Sequence, residues 1–123
     1  MSKNILIVDD SSMMRLALQS ALVETGYTVV EAVDGLDALE KLKSGVKISL
    51  IVCDVNMPNM DGLTFVKTYK TMPEFQFIPV LMLTTEGSSD KKEEGKAAGV
   101  RAWMVKPFNK EMLMNAIGKL INM

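Results

Sequence analysis

Four places where short apolar runs end carry polar groups whose types suit one kind of chemistry. Asp9-Asp10 follows the run 5–8, Asp54 follows 48–53, Thr84-Thr85 follows 78–83, and Lys106-Pro107 follows 102–105. Three carboxylates gathered in one place repel one another and are costly to desolvate unless a cation neutralises them. With no histidine in the chain and Cys53 inside an apolar run, the ligands would all be oxygen. Such a set favours a hard ion such as Mg2+, with Mn2+ as the alternative. A threonine hydroxyl and the fixed charge of Lys106 beside one carboxylate suit a phosphoryl group, whose transition state spreads charge over its oxygens. In that chemistry Asp54 is the nucleophile. Taken singly, each group also has a plainer use: Asp9 and Asp10 as helix caps, Asp54 as a turn former, Thr84 as a loop hydroxyl and Lys106 as a solvated side chain. The weight lies in separate run ends each supplying what one reaction needs.

The absence of histidine removes the Ser-His-Asp triad, histidine-ligated zinc, an imidazole base and any phosphohistidine formed within the chain. The 123 residues suit one domain spanning 1–123, and 48% hydrophobic against 24% charged residues is the composition of a soluble globular protein. Fourteen Lys and Arg against fifteen Asp and Glu supply no basic excess for nucleic acid. Met1-Ser2-Lys3-Asn4 leads straight into an apolar run far too short to span a membrane, so the expected location is cytoplasmic, with no membrane contact. Cys53 cannot form an internal disulfide and reads as a small buried hydrophobe, while Met57 and Met60 read as packing residues.

The elements that must position these groups alternate. Apolar runs at 5–8, 29–30, 48–53, 78–83 and 102–105 predict strands, several of them apolar on every residue, as strands covered on both faces are. Helical periods are predicted over 12–24, 36–43, 62–70, 90–98 and 110–122. Asp90 and Glu93 have the spacing of a capping box, Asn109 suits the cap of the last helix, and Gly26, Gly45 and Gly99 stand where helices end. Leu113, Ala116, Ile117, Leu120 and Ile121 form one apolar stripe that must pack on a sheet. Alternating strands and helices predict an α/β fold: a parallel, doubly wound sheet with helices on both faces. In that fold ligands gather at the carboxyl ends of the central strands, where these polar groups stand.

Val8-Asp9-Asp10-Ser11, the segment from Asp54 through Met57-Pro58-Asn59-Met60-Asp61-Gly62, the segment from Pro79 to Thr84, and Val105-Lys106-Pro107-Phe108 together resemble the response-regulator receiver domains, and among them the single-domain chemotaxis type. The resemblance covers essentially the whole chain. It implies a flavodoxin-like five-stranded sheet of order 2-1-3-4-5. It also implies that Asp54 is the phosphoacceptor, Asp10 a direct metal ligand, Asp9 a ligand through water, and the Asn56 backbone carbonyl a further ligand. Thr84 would follow the phosphoryl oxygens, Lys106 would pair with them, and Pro107 would follow a cis bond. Trp103 stands where the family has a rotating Tyr or Phe, and a static interface tryptophan is the alternative reading. Asn56 and Glu86, two residues beyond Asp54 and Thr84, are positions that tune water's access to phosphorus.

The function so implied is a stand-alone response regulator, a monomer that catalyses only its own phosphorylation and dephosphorylation and turns over no metabolite. Its partners would be a histidine kinase as phosphodonor, a target such as the flagellar motor switch, and a phosphatase. A phosphorelay carrier is the nearest alternative. An aspartyl-phosphate phosphohydrolase is the more distant one, because such enzymes place an acid-base aspartate where this chain has Asn56.

Overall fold

In a computed structural model that describes residues 3–122, the uninterrupted apolar runs are explained by a sheet with a core on each side; the leading Met1-Ser2 lies outside the described residues. Strand β1 (Asn4–Val8) sends Leu6 and Val8 into one core and Ile5 and Ile7 into the other. Strands β3 (Leu50–Cys53) and β4 (Val80–Thr84) divide in the same way: Ile51, Cys53, Val80 and Met82 point to the first core, Leu50, Val52, Leu81 and Leu83 to the second. With β2 (Thr28–Ala32) and β5 (Ala102–Val105) they form a parallel sheet of order β2-β1-β3-β4-β5, the order that the family resemblance implied. Helices α2 (Gly35–Lys43) and α3 (Gly62–Tyr69) close the first core with Leu39, Leu42, Phe65, Val66 and Tyr69. Helices α1 (Ser12–Glu24) and α5 (Lys110–Ile121) close the second with Leu18, Leu22, Leu113, Ile117, Leu120 and Ile121, which includes the stripe read from the sequence. Each such side chain contributes about 1.5–3 kcal/mol on burial. No helix among the described residues is long and apolar enough to cross a membrane.

Boundaries shift by a few residues for identifiable reasons. Strand β3 starts at Leu50 instead of 48, and Asn4 holds the residues before it, its side-chain amide donating to the Lys47 carbonyl and its own carbonyl accepting from Ser49 N. Strand β4 starts at Val80 because Pro79 has no N–H for the ladder. The capping box at Asp90 does not form. Helix α4 (Ser89–Ala98) is capped by Ser88, whose hydroxyl accepts from Lys91 N, and Asp90 lies in the first turn, where its charge meets the positive helix end. Asn109 caps α5 as expected, and Gly99 closes α4 in the left-handed region at φ 101.

One tertiary tie bears on the site. Asp34, nearly buried, caps α2 through Asp37 N at 2.8 Å and accepts from Asn59 Nδ2 at 2.7 Å. Asn59 has φ 68, a conformation that asparagine tolerates better than other side chains, and Gly35 N donates to the Met60 carbonyl at 3.0 Å. The loop that follows Asp54 is thereby pinned to the start of α2.

Candidate functional site

Strand order reverses between β1 and β3, and the residues just beyond those two strands meet there. Asp9 N donates to the Ala32 carbonyl and Asp54 N to the Val8 carbonyl, so the ladder fixes both backbones. One carboxylate oxygen from each of Asp9, Asp10 and Asp54 falls within 4.8 Å of the others; Asp9 and Asp54 are buried and Asp10 is exposed. The cluster read from the sequence is therefore assembled.

Lys106 reaches in from the end of β5 and donates to Asp9 Oδ2 at 2.8 Å and to Asp54 Oδ2 at 3.0 Å. Burial pushes the lysine pKa down, but hydrogen bonds and charge attraction from Asp9 and Asp54 outweigh it, and the pKa is raised above the usual lysine value. The ammonium is thus firmly charged at neutral pH. Three carboxylates against one ammonium still leave two negative charges in excess. Asp54 Oδ1 is the buried side-chain polar atom with no hydrogen-bond partner among the described residues. A buried carboxylate oxygen left unpaired is costly unless something else meets it. Hard oxygen donors, excess negative charge and an orphaned oxygen together fit a small divalent cation such as Mg2+.

Thr84 is fully buried at the end of β4; its Oγ1 accepts from Glu86 N at 3.1 Å, which leaves the hydroxyl proton free to donate elsewhere. Its carbonyl accepts from Lys106 N at 2.8 Å, so β4 aligns the lysine, and the bond from Lys106 to Pro107 is cis. Asn56 lies exposed in the loop beyond Asp54, and Glu86 is half-buried. Trp103 stands apart from the carboxylates. Its indole packs against the first core, its Nε1 donates to the Glu86 carbonyl at 2.9 Å, and a Cβ on Gly95 would come within 2.8 Å of the ring. The ring is half-buried and seated on α4 at a glycine that leaves it room. Cys53 is buried, and burial, then the neighbouring Asp54, push its thiol pKa well up, which suits a packing residue and not a nucleophile.

Several contributors were given no role of their own from the sequence. Arg15 donates to the Asp9 carbonyl at 2.7 Å and pairs with Glu31 at 3.0 Å, which braces the end of β1. Gly62 lies tightly against Asp54, and Asn59 ties down the intervening loop. Only the Asp-Gly pair at 61–62 offered a local signal, and it reads as a helix start.

A family model described as the response regulator receiver domain matches residues 5–118. The chain is 40% identical over 110 residues to the chemotaxis protein CheY1 of Helicobacter pylori, covering 89% of each chain. It is 39% identical over 117 residues to the chemotaxis protein CheY of Pseudomonas aeruginosa, covering 94% of each. The crystal structure of the chemotaxis protein CheY4 of Vibrio cholerae at low pH superposes with a TM-score of 0.91 at 42% identity, over 98% of this chain and 99% of that one.

Proposed function

The chain belongs to the response regulator receiver family, and on that premise we propose that it is a stand-alone, cytoplasmic response regulator, one receiver domain over residues 1–123, that takes a phosphoryl group onto Asp54 from a histidine kinase. Receiver domains of this CheY-like kind are signalling proteins and not metabolic enzymes. The observation that carries the proposal is the asymmetry of Asp54: Oδ2 is held by Lys106, while Oδ1 is buried, unpaired and beside Asp9 and Asp10. One oxygen of the Asp54 carboxylate is the attacking atom. Its bond to phosphorus forms as the bond from phosphorus to the donor's imidazole nitrogen breaks, and the electron pair leaves on the imidazole. Lys106 stays to offset charge on the phosphoryl oxygens, and the Thr84 hydroxyl donates to one of them. Asp9, Asp10, Asp54 and the Asn56 carbonyl would hold Mg2+, which when bound neutralises the excess negative charge and draws the phosphoryl oxygens in. Asn56 and Glu86 stand beside the route by which water later reaches phosphorus, and govern how long the phosphoryl group lasts.

Incubation with acetyl phosphate and Mg2+, followed by intact-mass measurement, tests this reading. Wild type should gain one phosphoryl adduct, and chelation of the divalent ion should lower the yield by more than about tenfold. Equal labelling with and without the ion would remove the metal from the proposal, and no labelling at all would remove the acceptor.

Output runs through the α4-β5-α5 face to a target such as the flagellar motor switch. Val105 and Met112 are exposed there, beside a cleft of about 360 Å3 lined by Arg101, Ala102, Met112, Ala116 and Lys119. The link from the acceptor to that face is Thr84, whose Oγ1 holds Glu86 N, followed by Glu86, whose carbonyl holds the Trp103 indole. A phosphoryl oxygen that draws Thr84 inward repositions both. Thr84→Val keeps the shape and removes the hydroxyl. On adding beryllofluoride it should bind the mimic within about tenfold of wild type but lose more than about half of the Trp103 fluorescence change. An equal response in the two proteins would break this link, and an unresponsive wild type would make Trp103 a static residue.

A further inference from the structure

Besides Asp9 and Asp54, one other carboxylate is buried among the described residues: Asp34, which contributes no oxygen to the acidic cluster. Burying a carboxylate is costly unless its oxygens are bonded. Oδ1 accepts from Asp37 N at 2.8 Å, an ordinary helix cap of the kind that the exposed Ser11 and Ser88 supply to α1 and α4. That task needs no buried charge. Oδ2 accepts from Asn59 Nδ2 at 2.7 Å, a charge-assisted bond that leaves α2 and reaches into the loop between β3 and α3. The same loop carries Asn56. Asn56 makes no hydrogen bond of its own among the described residues, so the place of its carbonyl depends on how the rest of the loop is held. Gly62 N closes the base of the loop on the Val55 carbonyl at 2.8 Å, and Met60 N closes its turn on the Pro58 carbonyl at 2.7 Å. The start of α2 holds the far side. Gly35 N donates to the Met60 carbonyl at 3.0 Å, and a Cβ on Gly35 would come within 2.6 Å of Met60 Cγ and 2.8 Å of that carbonyl oxygen. Asn59 stands at φ 68, a conformation that persists in a residue with a side chain when its surroundings hold it there.

We infer that Asp34 is a positioning residue for the metal site: its bond to Asn59 holds the loop in the form in which the Asn56 carbonyl joins the three carboxylates, and so couples divalent-ion binding to the start of α2. This rests on the metal reading above. A loop that must be ordered as the ion binds lowers the affinity by the cost of ordering, whereas a loop already pinned in the folded chain does not. The coupling runs in both directions. If the tie strengthens ion binding, then ion binding strengthens the tie by the same factor, because the two are linked equilibria. The first turn of α2 hangs on Asp34, through Asp37 N on the carboxylate and Ala38 N on the Asp34 carbonyl at 3.0 Å. Occupancy of the acidic cluster should therefore be felt in α2.

Titration of the full chain with Mn2+, followed by the spin-resonance signal of the free ion, reads affinity without reference to phosphoryl uptake. Asn59→Gly keeps every charge and permits the positive φ, while Asp34→Ser keeps a cap for α2; each removes the tie and should weaken Mn2+ binding about fivefold or more. The double variant Asp34→Asn with Asn59→Asp reverses donor and acceptor at constant net charge, and should bind within about twofold of wild type. The concentration of Mg2+ needed for half-maximal labelling by acetyl phosphate should rise in Asn59→Gly by the same factor as the Mn2+ constant, with the maximal rate changed less. In wild type, Mg2+ should slow amide hydrogen exchange at Asp37 and Ala38, and in Asn59→Gly it should not. Single variants that bind Mn2+ as wild type does would overturn the inference and leave the metal reading standing, and a double variant no better than Asn59→Gly would overturn it too. Wild-type exchange at Asp37 and Ala38 that ignores Mg2+ would do the same without recourse to any variant. A wild type that binds no Mn2+ would overturn the metal reading itself, and this inference with it.

Discussion

Asp54→Asn is expected to take up no phosphoryl group from acetyl phosphate and Mg2+ under conditions that label wild type fully, while remaining folded. The amide keeps the size of the carboxylate but loses the charge that makes Asp54 a nucleophile without a general base. It also loses the charge-assisted bond from Lys106, leaving that ammonium with Asp9 as its carboxylate partner. Stability should move the other way. The site holds an excess of negative charge and an orphaned buried oxygen, so neutralising Asp54 relieves repulsion. In the absence of metal the variant should be as stable as wild type or more so, by about 1 kcal/mol. Intact mass reads the first effect and urea unfolding in EDTA the second. Undiminished labelling of Asp54→Asn would move the acceptor elsewhere. A loss of several kcal/mol would mean that the carboxylate is a structural group and not one held in readiness for chemistry.

Much of this was legible because two signals coincide. Strands covered on both faces must be apolar throughout, so Ile5–Val8 in β1 and Leu50–Cys53 in β3 announced themselves, and a parallel sheet brings every strand's carboxyl end to one edge. Asp9, Asp10, Asp54, Thr84 and Lys106 are therefore gathered by the strand pattern alone. What stayed hidden depends on contacts between segments distant in sequence. Lys106 reads as a partner for phosphoryl oxygens, yet it bonds first to Asp9 and Asp54, across 97 and 52 residues of chain. The bond from Asn59 to Asp34 joins loops 25 residues apart, and no local pattern tells that the two loops meet. The cap expected at Asp90 is made two residues earlier by Ser88, whose extended backbone lets its hydroxyl meet Lys91 N. Gly95, inside α4, leaves room for the indole of Trp103, which no local pattern shows.

Gly62 is the position where one added methyl should do the most damage. It opens α3, its N–H donates to the Val55 carbonyl at 2.8 Å, and a Cβ there would overlap the carbonyl oxygen of Asp54 and lie 2.9 Å from its carbonyl carbon and 3.0 Å from Cys53 Sγ. The obstructing atoms are mostly main chain, so no rotamer change relieves the contact. Either α3 retreats, loosening Leu63, Phe65, Val66 and Tyr69 from the first core, or the peptide of Asp54 tilts and carries the acceptor carboxylate away from Lys106. Gly62→Ala should therefore cost about 3–5 kcal/mol in urea unfolding and lower phosphoryl uptake in whatever fraction remains folded. Gly118→Ala is the matched control. It makes the same substitution inside α5, where a Cβ meets no atom within 4 Å, and there it should stabilise by about 0.4–1 kcal/mol by removing backbone freedom from the unfolded chain. Two glycine-to-alanine changes of opposite sign in one protein separate close backbone approach from helix propensity. If Gly62→Ala were as stable as wild type, the close seating of α3 against Asp54 would not be what holds the acceptor in place.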